Sequence, residues 1–132
     1  MIHLIWATKF REPSITKQLK PLLLEHIKQN ALNKSIFITE MNCVEDHIHV
    51  LVSLSTDQSI SQVVKLIKGE SSFWINKIGI LDKKFEWQEE YMALSVSESA
   101  IKTVRNYIKN QEEHHQDKSF DKEHKDFMKI HE

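Results

Sequence analysis

The stretch His47-Ile48-His49-Val50-Leu51-Val52-Ser53 constrains this chain more than any other. Its alternation and its β-branched content read as a strand. Side chains alternate across a strand, so Ile48, Val50 and Val52 share one face and His47 and His49 the other. The aliphatic face must be buried, so the strand needs a sheet with cover on that side. Two amphipathic runs can supply the cover. Thr16–Asn33 sets Leu19, Leu22, Leu23 and Ile27 inward, and Ser59–Ile78 carries Ile60, Val63, Val64, Ile67, Trp74 and Ile78 as a stripe at helical spacing.

The remaining segments complete an order. Ile2–Thr8 reads as a first strand and Ser35–Cys43 as a second, joined to the histidine strand through Val44-Glu45-Asp46. A fourth strand lies within Phe85–Val96. A last helix is expected from Glu98 to about Glu113, with Ser97 as N-cap. Pro21 would cost about 3 kcal/mol in a helix interior, so the first helix becomes regular near it. Gly79 is a stop for the second helix. The order βαββαβ is the ferredoxin-like split βαβ pattern, an α+β antiparallel sheet, here with an added C-terminal helix. Two helices cover one sheet face, and the histidine face receives the third.

At 132 residues the chain is expected to be one domain over 1–132, and its 40% hydrophobic and 28% charged content is that of a soluble globular chain. Residues 116–132 form a charged tail with Phe120, Phe127, Met128 and Ile130 as sparse anchors, read as a short docking helix or a frayed end. No apolar run approaches the ~20 residues needed to cross a membrane, and no signal-peptide pattern opens the chain. Cys43 is the one cysteine. It is expected to be a small buried side chain, and its solitude fits a reducing, cytoplasmic setting.

The chemistry lies in four residues. His47 and His49 stand about 7 Å apart along their strand and can converge on one cation. Tyr107 and Gln111 stand one turn apart on the last helix, which offers an amide oxygen and an oxygen nucleophile on one side. Such a set suits metal-assisted attack on a phosphodiester. Read more plainly, the histidines are satisfied sheet residues, Tyr107 a boundary aromatic and Gln111 a solvated amide. A metal-dependent hydrolase using the histidine pair with Glu45 or Asp46 as base is a further alternative. With 2 glycines the chain has no phosphate-cradling loop of the G-x-x-x-x-G-K type, so no nucleotide cofactor is expected. Trp6, Trp74 and Trp87 are expected in the core, Trp87 being the best of them for base stacking or a dimer contact. His114 and His115 are expected to be solvated.

These residues resemble the single-tyrosine HUH transposases, small transposases of insertion sequences that include the REP-associated tyrosine transposases. The resemblance runs through Ile2-His3-Leu4-Ile5-Trp6-Ala7-Thr8-Lys9 with Arg11-Glu12-Pro13, and through Val44-Glu45-Asp46-His47-Ile48-His49-Val50-Leu51. It continues in Lys68-Gly69-Glu70-Ser71-Ser72 and in Tyr107-Ile108-Lys109-Asn110-Gln111-Glu112-Glu113-His114-His115. It implies that Tyr107 is the nucleophile, leaving a 5′-phosphotyrosine and a free 3′-hydroxyl. It implies that His47, His49 and Gln111 hold Mg²⁺ or Mn²⁺. It also implies single-stranded, hairpin-bearing DNA as substrate and a homodimer whose active sites can be composite between subunits.

Charge sits less easily with DNA, since the formal net value is -1 with pI ≈ 6.7. The expectation is a local basic groove from Lys9, Arg11, Lys65, Lys68, Lys102 and Arg105, with Lys17, Lys20 and Lys109 nearby in sequence. The alternative within the resemblance is a domesticated descendant that grips structured nucleic acid without transposing.

Overall fold

The computed structural model describes residues 1–111. The strands are β1 (Ile2–Ala7), β2 (Phe37–Cys43), β3 (His47–Ser53) and β4 (Met92–Ser95). The helices are α1 (Leu19–Asn33), α2 (Ile60–Ile78) and α3 (Ile101–Lys109). The sheet order is β2-β3-β1-β4, and every pairing is antiparallel. With the helices between and after the strands, this is the expected α+β split βαβ arrangement with an added helix.

Alternation sorts the sheet into two faces. Leu4, Trp6, Ile48, Val50 and Val52 are buried in one core with Leu19, Leu23 and Ile27 of α1 and Val63, Val64, Ile67 and Ile75 of α2. On the other face Leu51 joins Val96, Val104, Tyr107 and Ile108 in a second, smaller cluster beneath α3. The histidine face of β3 therefore receives α3, as the alternation requires.

Helix ends follow local chemistry. Ser59 and Gln62 form a reciprocal capping box at the start of α2, and Gly79 closes that helix in the left-handed region, φ 65. Pro21 falls in the first turn of α1, where no intrahelical donor is needed. Thr16 caps this end: its side chain accepts from the Leu19 N–H at 3.1 Å.

Several boundaries differ from expectation. The second strand starts at Phe37, because Ser35 takes φ 57 as the chain leaves α1. The helical stripes are shifted: Leu22 is 45% and Ile78 43% exposed, while Ile75 takes the inward place. Only Met92–Ser95 of the fourth segment pairs as a strand, and Trp87 reaches the sheet through a single bridge to Thr8. The last helix begins with a 3-10 turn at Glu98–Ala100, and Ser97 makes no side-chain capping bond there. Cys43 is fully buried, as expected. The tail at 116–132, with His114 and His115, lies outside the described residues.

Candidate active site

β3 presents His47 and His49 on the α3 side, both fully buried, with ring centroids 5.4 Å apart at 65°. The Tyr107 ring stands edge-on to His49, centroids 5.5 Å apart at 74°. The imidazole pair and the phenol thus meet within one chain, although Tyr107 follows His47 by a large sequence separation. The helix that carries Tyr107 is held by a side-chain cap from the sheet. Asn42 of β2 donates through Nδ2 to the carbonyls of Ile108 (3.0 Å) and Lys109 (3.1 Å), and its Oδ1 accepts the Cys43 N–H at 2.9 Å. These carbonyls belong to the last turn of α3, and the Ile108 carbonyl also accepts the Asn110 N–H.

Each histidine is anchored through Nδ1. His47 Nδ1 lies 2.7 Å from Asp46 Oδ1, and His49 Nδ1 lies 2.9 Å from His3 Nε2. His3, on β1, is fully buried beside this pair, its ring 5.1 Å from that of His49. Neither His3 nor Asn42 stood out in the sequence as part of a site, since both enter through strand register. The carboxylate of Asp46, a candidate base in the hydrolase alternative, faces His47, where it can orient that ring.

Gln111 is helical, as expected, but is set off from α3 by a one-residue break at Asn110, where the backbone turns to φ -98, ψ 22. It is fully buried. Among the described residues, neither its Oε1 nor its Nε2 has a hydrogen-bond partner. A buried amide in that state costs about 1–3 kcal/mol, and donation to a cation would relieve part of it. The described residues contain no group of three His, Cys, Asp or Glu suited to a metal. Imidazole nitrogens and an amide oxygen, the donor types of His47, His49 and Gln111, could together hold any of several divalent metals.

The basic residues do not form one groove. Lys65 and Lys68 lie on α2, against one face of the sheet, while Lys102 and Arg105 are exposed on α3, against the other. Lys9 pairs with Glu86 at 3.2 Å and holds the Glu86 carboxyl below its usual range, by hydrogen bond first and by charge second. Lys68 donates to the Glu89 carbonyl at 2.9 Å. Partial burial lowers its pKa, against the opposing pull of Glu90 and Glu89. Lys9 and Lys68 share an open cleft of about 580 Å³ whose wall also carries Glu86 and Glu89. Arg11 follows Phe10 in a turn where both residues have positive φ, 53 and 58. Trp87 is no stacking platform: it is 8% exposed, packs edge-on to Trp6 and donates its indole N–H to Ser71 Oγ at 2.9 Å. Trp74 is half-buried and stacks on His26 at 4.1 Å.

The class of this small antiparallel sheet, with its paired-histidine strand and tyrosine helix, is given by the family comparison: it is a DNA transposase fold. Residues 1–111 match the family model described as "Transposase IS200 like", and the chain belongs to that family, whose members are enzymes acting on DNA. The ISDra2 transposase TnpA of Deinococcus radiodurans is 27% identical over 114 residues, covering 83% of this chain and 81% of that protein. The transposase for insertion sequence element IS200 of Salmonella typhimurium is also 27% identical over 114 residues, covering 83% and 74%. Among solved structures, a protein from Deinococcus radiodurans superposes with TM-score 0.67 at 26% identity, covering 83% of this chain and 88% of that one. A REP-associated tyrosine transposase bound to a REP hairpin shares the fold, with TM-score 0.64 at 16% identity and coverage of 86% and 67%. Among the described residues no helix is long and apolar enough to cross a membrane.

Proposed function

We propose that this chain cuts and rejoins single-stranded DNA through a covalent phosphotyrosine at Tyr107, an HUH-type strand transfer on hairpin-bearing ends. The observation that carries the reading is the approach of the Tyr107 ring to His49, 5.5 Å between centroids, beside the buried histidine pair. The hairpin-bound REP transposase, which shares the fold, makes hairpin DNA the natural substrate class to test.

A divalent cation, Mg²⁺ or Mn²⁺, held by His47, His49 and Gln111 would withdraw charge from the scissile phosphate and orient the reacting oxygens. A phenol is mostly protonated at neutral pH, so Tyr107 gives up its proton to solvent as its oxygen bonds to phosphorus. The bond from phosphorus to the 3′ oxygen breaks, and that oxygen takes up a proton to leave a 3′-hydroxyl. The phosphodiester energy is kept in the tyrosyl ester, so rejoining to a second 3′-hydroxyl needs no nucleotide cofactor. Asp46 fixes the His47 ring, and Asn42 fixes the end of the helix that carries the nucleophile. A homodimer belongs to this reading. One chain already brings Tyr107 to its own histidines, so a composite site would require α3 to leave its own sheet for the partner's.

The test is incubation with labelled hairpin-bearing single-stranded oligonucleotides and Mn²⁺, followed by a denaturing gel. A protein–DNA adduct is expected, and it should vanish with chelator, with Tyr107→Phe and with His47→Ala. An adduct that persists in Tyr107→Phe would remove the assigned nucleophile. Salt-dependent binding with no adduct on any hairpin would favour a nucleic-acid-binding role instead.

A further inference from the structure

We propose that His3 is a positioning residue for the cation centre: by accepting the Nδ1–H of His49, it fixes the tautomer and ring orientation in which His49 Nε2 can serve as a metal ligand. The inference rests on the metal reading given above.

The geometry begins with register. His3 pairs across β1 and β3 with Leu51, and His49 pairs with Ile5, so the two histidines are diagonal neighbours on one face. Diagonal positions on adjacent strands are close enough for long side chains to meet, and here the meeting is a hydrogen bond of 2.9 Å. Both residues are fully buried, so the bond is shielded from competition with water.

A hydrogen bond between two imidazoles needs one N–H and one lone pair. If His49 is to offer a lone pair at Nε2, its proton must sit on Nδ1. His3 Nε2 is then the acceptor, and the His3 proton sits on its own Nδ1. With the bond in that direction, Nε2 is the nitrogen of His49 left to a cation. A purely structural pair of buried histidines could meet through any of their nitrogens. What points to function is the parallel with His47, which is anchored through the same atom by a different group, Asp46 Oδ1 at 2.7 Å. Two rings on one strand face, each held through Nδ1 by an unrelated partner, present Nε2 in common. Groups that orient metal ligands in this way typically change metal affinity 10–100-fold when removed.

Two measurements test the role. In the folded wild-type protein, ¹⁵N chemical shifts of the imidazole nitrogens should report the Nδ1–H tautomer for His49 and for His3 without added metal; an Nε2–H tautomer at His49 overturns the proposal. Mn²⁺ affinity, followed by electron paramagnetic resonance, should fall about 10- to 100-fold in His3→Ala and recover most of that loss in His3→Gln, whose amide oxygen can accept the same N–H. A fall in thermal stability with unchanged Mn²⁺ affinity in His3→Ala, or no recovery in His3→Gln, contradicts it. His47→Ala is the control that separates the two readings. If it abolishes Mn²⁺ binding while the His3 variants do not, only the His3 proposal fails. If it leaves Mn²⁺ binding intact, the metal centre and the role of His3 fall together.

Discussion

Asn42 shows how much a single side chain can do here. Its amide reaches two carbonyls in the last turn of the Tyr107 helix, so Asn42→Ala should destabilise the protein by about 1 kcal/mol. Its adduct yield should fall further than its melting temperature suggests. Asn42→Asp should not rescue it, because a carboxylate cannot donate to carbonyls. Ser71 is a second case. It accepts the Trp87 indole N–H at 2.9 Å and donates to the Ile67 carbonyl at 2.6 Å. Ser71→Ala would leave that indole N–H buried and unsatisfied, costing about 1–3 kcal/mol by urea denaturation. DNA cleavage should continue in the folded fraction, since Trp87 lies in the core on the α1/α2 side. At this scale the sequence was partly legible. Strict alternation gave the shared face of His47 and His49 without coordinates. His3 and Asn42 were not legible, because each acts across strands and register is not written in a single segment.

The element that matters most is also the most dependent. α3 has 9 residues, shorter than the ~12–15 an isolated helix needs to be even marginal in water. Its place is set by docking Val104, Tyr107 and Ile108 on Leu51 and Val96. Leu51→Ala should cost about 2–5 kcal/mol. In hydrogen exchange α3 amides should become exposed before those of α1, which packs on the other face. Uniform loss of protection across α1 and α3 together would mean that α3 is not a separate layer. Helix α2 was legible to within a residue, since Ser59, Gln62 and Gly79 carry both its signals. The fourth strand was not. Phe85 and Trp87 have strand-like composition, yet both are buried in the large core and only Met92–Ser95 lies along β1. Tertiary packing overrode local preference there.

For the whole molecule, the charge pattern sorts the candidate DNA contacts. With a net charge of -1, binding to DNA would draw on a local excess of basic side chains. The Tyr107 side carries Lys102 and Arg105, whereas Lys65 lies on the far layer. Lys102→Glu with Arg105→Glu should weaken single-stranded DNA binding several-fold and flatten its salt dependence. Lys65→Glu should change neither. Equal losses would place the DNA path around both layers. The overall architecture was the most legible level, because three amphipathic segments and a one-faced strand leave few ways to cover a sheet. The spread of the basic residues over both layers was the least, since linear proximity to a motif says little about which face a side chain occupies.

The central claim is that Tyr107 forms the bond to DNA, and the most direct measurement locates that bond. The Mn²⁺-dependent adduct would be digested with nuclease and trypsin and read by mass spectrometry. Cleavage after Arg105 and Lys109 yields the peptide Asn106-Tyr107-Ile108-Lys109. The account predicts that this peptide carries the residual nucleotide through a tyrosyl phosphate. A nucleotide found on any other peptide, with Asn106–Lys109 recovered unmodified, would contradict it.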